Sequence, residues 1–75
     1  SLDNLERWVI NNIGDGNRNN MLLRYAMLLL DGGYDFEGIR TRVVSLNDKI
    51  VDKLDEVEIM TTIMVSVGKA LSKKA

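Results

Sequence analysis

The sequence contains no cysteine, no histidine and no proline, and its few aromatic residues are one tryptophan, two tyrosines and one phenylalanine. Without cysteine the chain forms no disulfide, and without cysteine and histidine it has no zinc site of the usual kind. The absence of histidine also excludes the serine–histidine–aspartate triad and any histidine general base. No apolar run is long enough to cross a bilayer and no secretory signal is visible. We therefore expect a soluble, intracellular protein.

The charge is nearly balanced, with 10 basic and 11 acidic residues and a formal net charge of −1. A free-standing domain that binds nucleic acid tightly is usually basic, so any nucleic-acid contact here should be local and modest. The length of 75 residues supports one small domain. Hydrophobic residues make up 45% of the chain, so an apolar core alone must stabilise it.

Apolar residues recur at three- and four-residue steps in four segments, which predicts helices over 2–13, 18–30, 36–46 and 56–72. No segment alternates like a strand. The fold class is therefore all-α, a compact bundle of about four helices in a single domain over 1–75. The predicted core positions are Leu2, Leu5, Val9 and Ile13; Leu22, Leu23, Ala26, Leu29 and Leu30; Phe36, Ile39, Val43 and Leu46; and Met60, Ile63, Met64, Val67 and Leu71.

Residues that favour helix ends separate these segments. Gly14 is a candidate left-handed stop for the first helix, and two glycines at 32–33 stop the second. Asn17 and Asp35 stand where N-caps are expected. For the last helix, Asp55 followed by Glu58 at three residues has the spacing of a capping box.

Two further features are the segment between the third and fourth helices and a glycine within the fourth helix. Residues 47–54 read as an ordered loop anchored by three aliphatic side chains, Ile50, Val51 and Leu54. Gly68 interrupts the last helix, where a close contact between helices explains it better than a hinge.

The most unusual stretch is the glycine-rich turn over 14–20, which leads into a helix N-terminus and so resembles a phosphate site. Its glycine spacing matches neither a Walker loop nor a dinucleotide fingerprint. Arg18 opposes the helix dipole and needs a phosphate or a carboxylate as a partner. Arg18 and Asn19 are either a structural clamp or a ligand contact. Asn20 and Arg24 point away from the core together and are better candidates for an external partner.

Residues 38–54 carry a local excess of positive charge, which permits a phosphate-contacting patch but is also typical of ordinary solvated surface. The aromatic side chains of Trp8, Tyr25 and Tyr34 could stack on bases, although core positions are more expected for most of them. The candidate nucleic-acid-binding residues are Arg18, Asn20, Arg24, Arg40, Arg42, Lys49 and Lys53. The candidate structural clamp consists of Asn17 and Asn19.

The acidic residues do not predict catalysis. The cluster at the start of the last helix is explained by helix capping, and Asp48 and Asp52 lack the further ligands of a metal cage. We expect no catalytic residue, no metal and no cofactor. A helix-turn-helix across 32–33 is disfavoured, because its second helix begins with Asp35 and Glu37, which would face phosphates.

Several short motifs follow one another along residues 14–70. They are, in order, Gly16-Asn17-Arg18-Asn19-Asn20, an apolar helix with Leu22, Leu23 and Ala26, a glycine stop, a helix ending at Asn47, and a last helix introduced by Leu54 and Glu58 with Ile63 and Ser66. This order resembles the primase C-terminal helical domain of phage and plasmid replication proteins. Family members often carry a proline before the final helix, where this chain has Ile50-Val51-Asp52-Lys53.

This resemblance implies a place between a primase–polymerase domain and a helicase, with 1–13 as a joining helix and 14–72 as the helical bundle. It implies a non-catalytic accessory domain that assists template and nucleotide engagement during primer synthesis. The isolated domain would be monomeric and not an enzyme, inside a parent primase or helicase in the bacterial or host cytoplasm. Its partners would be single-stranded DNA, bound weakly, and the adjacent primase and helicase domains, with no membrane.

The alternative is a protein-interaction or spacer module that couples the primase and helicase domains and binds no nucleic acid. The near-neutral charge favours it, and Ile10 and Val65 are candidates for such a contact.

Overall fold

The computed structural model describes residues 1–74, which form four helices. These are α1 (Leu2–Asn12), α2 (Arg18–Asp31), α3 (Phe36–Asn47) and α4 over 56–74. In α4 an α-helical turn, Glu56–Glu58, leads into a π-helical segment, Ile59–Ile63, and then into an α-helical segment, Met64–Lys74. No strand occurs in 1–74, so the all-α prediction is confirmed, and the helix ends lie within two residues of those expected.

The helix α2 packs against each of the other three helices, and α3 also packs against α4. The predicted core positions are buried or half-buried with one exception, Met60. Three further residues that the stripes did not include, Met21, Tyr25 and Ile59, are buried as well. No helix in the described part of the chain combines the length and the apolar character needed to cross a membrane.

The π-helical segment explains why Met60 is 36% exposed while Ile59 is fully buried. The Met64 N–H donates to the Ile59 carbonyl, a bond that spans five residues instead of four. The wider turn rotates the start of α4 relative to its later part, and Ile59 takes the core position expected for Met60. The placement of Met60 in the core was therefore wrong.

The stop between α2 and α3 is confirmed in detail. Gly33 has a φ of 93°, a left-handed conformation that suits glycine. Its N–H donates to the Leu30 carbonyl at 3.0 Å, and the Tyr34 N–H donates to the Leu29 carbonyl at 3.1 Å. These two bonds form a Schellman motif, which satisfies carbonyl groups that the end of α2 leaves free.

The two acidic N-caps behave differently. The Asp35 carboxylate accepts a hydrogen bond from the Gly38 N–H at 2.8 Å, as expected of an N-cap. Asp55 occupies the N-cap position of α4 but makes no side-chain capping bond. The expected capping box is therefore wrong, and the Glu58 carboxylate instead accepts from the Asn19 amide at 3.1 Å.

The turn between α1 and α2 is closed by Asn17. Its Oδ1 accepts from the Gly14 N–H at 2.7 Å, and its Nδ2 donates to the Asn12 carbonyl at 3.0 Å. Asn17 holds the N-cap position of α2 without capping it. The left-handed residue is Gly16, with a φ of 86°, and α1 ends through an extended Ile13. A left-handed stop at Gly14 was therefore wrong.

The connector between α3 and α4 is anchored by only two of its three aliphatic residues. Ile50 and Leu54 are buried, whereas Val51 is fully exposed. Asn47 belongs to α3 and is itself buried. The anchoring role of Val51 was therefore wrong.

Candidate nucleic-acid interface

An aromatic ring and a cation meet on the outer surface of the α1–α2 pair. The guanidinium carbon of Arg24 lies 5.1 Å from the centroid of the Trp8 ring. Trp8 is 39% exposed, and both Arg24 and Asn20 are exposed on α2, one helical turn apart. Such a set can stack on a base and donate hydrogen bonds to a phosphate. We call Trp8, Arg24 and Asn20 the stacking site.

A second arginine–aromatic pair has different surroundings. The Arg42 guanidinium lies 5.2 Å from the centroid of the Tyr34 ring, beside an open groove of about 520 Å³. Glu6 and Glu37 also line this groove, together with the hydroxyl-bearing Thr41 and Ser45 of α3. Two carboxylates repel phosphate, so this groove suits nucleic acid less well than the stacking site.

The other candidate cations lie in ion pairs within the protein. The pairs are Arg18–Asp52 at 3.3 Å, Arg40–Glu37 at 3.0 Å, Lys49–Glu6 at 3.0 Å and Lys53–Asp48 at 3.4 Å. Surface pairs of this kind contribute little to stability, but each lowers the local positive potential. Among the seven candidate residues, Arg24 and Arg42 are the cations without a carboxylate within 4.0 Å in residues 1–74.

The structure gives both Arg18 and Asn19 partners inside the protein. The Arg18 guanidinium pairs with the Asp52 carboxylate and also donates to the Asp52 carbonyl. The Asn19 amide donates to the Glu58 carboxylate and to the Thr62 hydroxyl, at 3.1 and 2.9 Å. These contacts join the start of α2 to the connector and to α4. They are the contacts that a structural clamp requires.

Tyr25 lies in the core and is not available for stacking. Its side chain is fully buried, and its hydroxyl lies 3.5 Å from the Glu6 carboxylate, to which it donates. Burial and the negative charge of Glu6 raise the pKa of Tyr25 to about 12, while the positive charge of Arg42 opposes this rise. Glu6 also accepts from the Lys49 ammonium at 3.0 Å.

The sequence raised Trp8 as one of three aromatic side chains that could stack on bases, although it was not among the candidate binding residues. Its place beside the apolar stripe was visible, but its pairing with Arg24 depends on how α1 packs against α2. The part of the chain that the structure describes holds no group of three or more acidic residues arranged to bind a metal ion.

No family model, no curated protein and no solved structure matches this chain. The resemblance to the primase C-terminal helical domain stays a prediction, which depends on the order of its short motifs.

Proposed function

We propose that this chain is a non-catalytic helical accessory domain of a phage or plasmid primase or primase-helicase, acting in the bacterial or host cytoplasm. It engages the single-stranded template during primer synthesis. The observation that supports this proposal is the stacking site, where Arg24 overlies the exposed ring of Trp8 beside Asn20. The order of the sequence motifs supplies the replication context.

In this mode of binding, one unpaired base stacks on the guanidinium plane of the exposed Arg24, which itself lies over the Trp8 ring. Arg24, held over the ring, donates to a neighbouring phosphate. The Asn20 amide, four residues earlier and about 6 Å away along the axis of α2, hydrogen bonds to the sugar or a base edge. Duplex DNA keeps its bases stacked on one another and does not offer a free base face. The site therefore favours single strands over duplex.

The affinity should be low because most of the other candidate cations are already paired with carboxylates. One or two phosphate contacts give a shallow salt dependence, with a slope of about −0.7 per phosphate for a single strand. Covalent linkage to the primase and helicase domains would compensate, because tethering raises the effective concentration of the template.

Binding can be followed at the site itself, because Trp8 is the only tryptophan. We expect an oligothymidylate titration at low salt to quench its fluorescence and to shift the backbone amides of Asn20 and Arg24. Arg24→Gln should weaken binding about tenfold, the value of roughly one charge-assisted contact. Arg7→Gln is the matched control, since it removes the same charge from an exposed residue of α1.

Two results would contradict the proposal. One is a titration that changes neither the tryptophan fluorescence nor any amide of the stacking site. The other is equal weakening by Arg24→Gln and Arg7→Gln, which would indicate only a nonspecific charge effect.

A second candidate function, the module that couples primase and helicase domains without binding nucleic acid, is favoured by an apolar cleft. The cleft has a volume of about 350 Å³ between the end of α1, the start of α2 and the connector. Its apolar lining consists of Ile10, Ile13, Ile50 and Val51. Binding of the neighbouring domains without any response to single-stranded DNA would favour this function. Ile10→Ser should then weaken that binding.

A further inference from the structure

The sequence contains two Asp-Gly pairs, Asp15-Gly16 in the turn between α1 and α2 and Asp31-Gly32 at the end of α2. An Asp-Gly pair can react with itself, because the backbone nitrogen of glycine can attack the side-chain carboxyl group of the preceding aspartate. Glycine favours this attack, since it has no side chain to hinder the close approach. The fold places the two pairs in different surroundings.

The Asp15-Gly16 pair has room to react. Both residues are exposed, and Asp15 forms no ion pair within residues 1–74. Within the same residues the Gly16 N–H donates no hydrogen bond, and a single backbone bond, from the Asn17 N–H to the Gly14 carbonyl at 3.3 Å, spans the pair. The space beside the Cα atoms of Gly14 and Gly16 is empty to 4 Å. The peptide bond between Asp15 and Gly16 can therefore rotate toward the carboxyl group.

The Asp31-Gly32 pair is held in place by the end of α2. Asp31 is the last residue of this helix, and the Gly32 N–H donates to the Leu28 and Leu29 carbonyls, each at 3.1 Å. The Asp31 carboxylate also lies 3.8 Å from the Lys74 ammonium. The end of the helix must open before the Gly32 nitrogen can react. Each tenfold of protection corresponds to about 1.4 kcal/mol of opening free energy.

We propose that Asp15-Gly16 is a site of backbone isomerisation and that the fold protects Asp31-Gly32 from the same reaction. The Gly16 nitrogen bonds to Cγ of the Asp15 carboxyl group, and the carboxyl hydroxyl leaves as water with the proton of the nitrogen. A water molecule then opens the resulting succinimide ring. Opening at the side-chain carbonyl restores aspartate, whereas opening at the main-chain carbonyl leaves isoaspartate. The proposal does not depend on DNA binding.

Isoaspartate would alter the turn that joins α1 to α2, because it adds one carbon atom to the main chain there. The Asn17 side chain accepts from the Gly14 N–H at 2.7 Å and donates to the Asn12 carbonyl at 3.0 Å. Both bonds span the altered peptide bond, so the added carbon atom moves Asn17 away from its partners. The isomerised chain should hold α1 less tightly against α2 and displace Trp8 from Arg24.

Incubation in heavy-oxygen water tests the site, because hydrolysis of the succinimide places one heavy oxygen in the residue whichever carbonyl is attacked. Trypsin then separates the two pairs into the peptides 8–18 and 25–40, which are distinguished by mass spectrometry. We expect the folded full chain to label 8–18 at least about tenfold faster than 25–40, which corresponds to an opening free energy of at least about 1.4 kcal/mol at the end of α2. In concentrated urea, where neither pair is held, the two peptides should label at similar rates.

Asp15→Glu is the matched control. It keeps the negative charge at an exposed position, but its side chain must close a larger ring, which forms far more slowly. The peptide 8–18 of this variant should therefore stay unlabelled. The proposal is overturned if the two peptides of the folded natural chain label at equal rates or not at all. It is also overturned if the Asp15→Glu variant labels as fast as the natural chain.

The effect on the turn is measured on the isoaspartyl chain, separated from the natural chain by chromatography. We expect unfolding at a lower urea concentration and a changed emission of Trp8, the only tryptophan. An isoaspartyl chain with the same unfolding midpoint and the same emission as the natural chain would show that the turn does not hold α1 against α2.

Discussion

The side chain of Asn47 and the backbone of Leu54 exchange two buried hydrogen bonds. The Asn47 Nδ2 donates to the Leu54 carbonyl at 2.8 Å, and the Leu54 N–H donates to the Asn47 Oδ1 at 2.9 Å. Asn47 is only 3% exposed, and every buried side-chain nitrogen and oxygen in the described chain has a partner. This contact connects the end of α3 to the segment that begins α4.

Removing this contact should destabilise the fold strongly. Asn47→Ala leaves a buried N–H and a buried carbonyl without partners, and each costs about 1–3 kcal/mol. We expect the free energy of unfolding, measured in urea, to fall by roughly 2–4 kcal/mol. Asn11→Ala, at an exposed position of α1, is the control and should change it by less than about 0.5 kcal/mol. A similar small effect of Asn47→Ala would show that the connector is held by Ile50 and Leu54 alone.

Two helical glycines should respond oppositely to alanine. A Cβ at Gly68 would meet its nearest atom, in the Phe36 ring, at 3.8 Å, which is ordinary contact. Gly68→Ala should therefore raise the free energy of unfolding by about 0.5–1 kcal/mol. A Cβ at Gly38 would lie 2.9 Å from the Asp35 carboxylate, which caps α3.

Because Gly38→Ala disturbs this cap, we expect it to give no stabilisation or a loss of about 1 kcal/mol. Thermal unfolding of the two variants side by side provides the measurement. Equal stabilisation by both substitutions would mean that the Asp35 side chain moves aside at no cost.

Tyr25 should make stability fall at alkaline pH. Its pKa is raised from 10.0 to about 12 in the folded chain, so the unfolded chain loses the proton first as the pH rises. The stabilisation that the protonated Tyr25 hydroxyl contributes to the fold is complete below about pH 10 and is lost as the pH rises through about 12. Urea unfolding from about pH 9 to about pH 12 should show this decline in the natural chain.

Tyr25→Phe should flatten the decline. At neutral pH it should lower the free energy of unfolding by only about 1 kcal/mol, because the hydrogen bond to Glu6 is long. Tyr34→Phe is the control and should leave the decline in place. The expectation fails if the Tyr25→Phe chain loses stability over this range as steeply as the natural chain.

The contact between Asn19 and Thr62 should couple α2 to the π-helical segment. Besides accepting from Asn19, the Thr62 hydroxyl donates to the Glu58 carbonyl at 2.7 Å. We expect Thr62→Val and Asn19→Ala to destabilise the fold non-additively, with a coupling energy of about 0.5–1 kcal/mol in a double-mutant cycle. The exposed Thr41→Val should show no coupling to Asn19→Ala. Additive effects of the first pair would indicate that the hydrogen bond contributes nothing to stability.

The helices and their ends could be predicted largely because they depend on local chemistry. Val9, Leu22 and Val43 each belong to an apolar face that the residue spacing within its own helix predicts. The glycines at 32–33 and the Asp35 carboxylate act on neighbouring backbone groups. The stacking site could be predicted only in part. Arg24 and Asn20 were recognised as outward-facing, but the ring beneath Arg24 belongs to another helix.

The amphipathic periodicity of the sequence by itself determined that this chain forms an all-α bundle. The spacing of the apolar residues marks one face on each helix, and burying those faces against one another produces the bundle. The tertiary structure decided which polar groups meet. In the folded chain Arg18 forms an ion pair with Asp52, and Lys49 with Glu6. The Glu58 carboxylate accepts a hydrogen bond from Asn19 instead of taking part in a capping box. The tertiary structure also introduced the π-helical turn that buries Ile59 in place of Met60. These pairings depend on distances between residues far apart in the chain, which only the packing of the helices establishes.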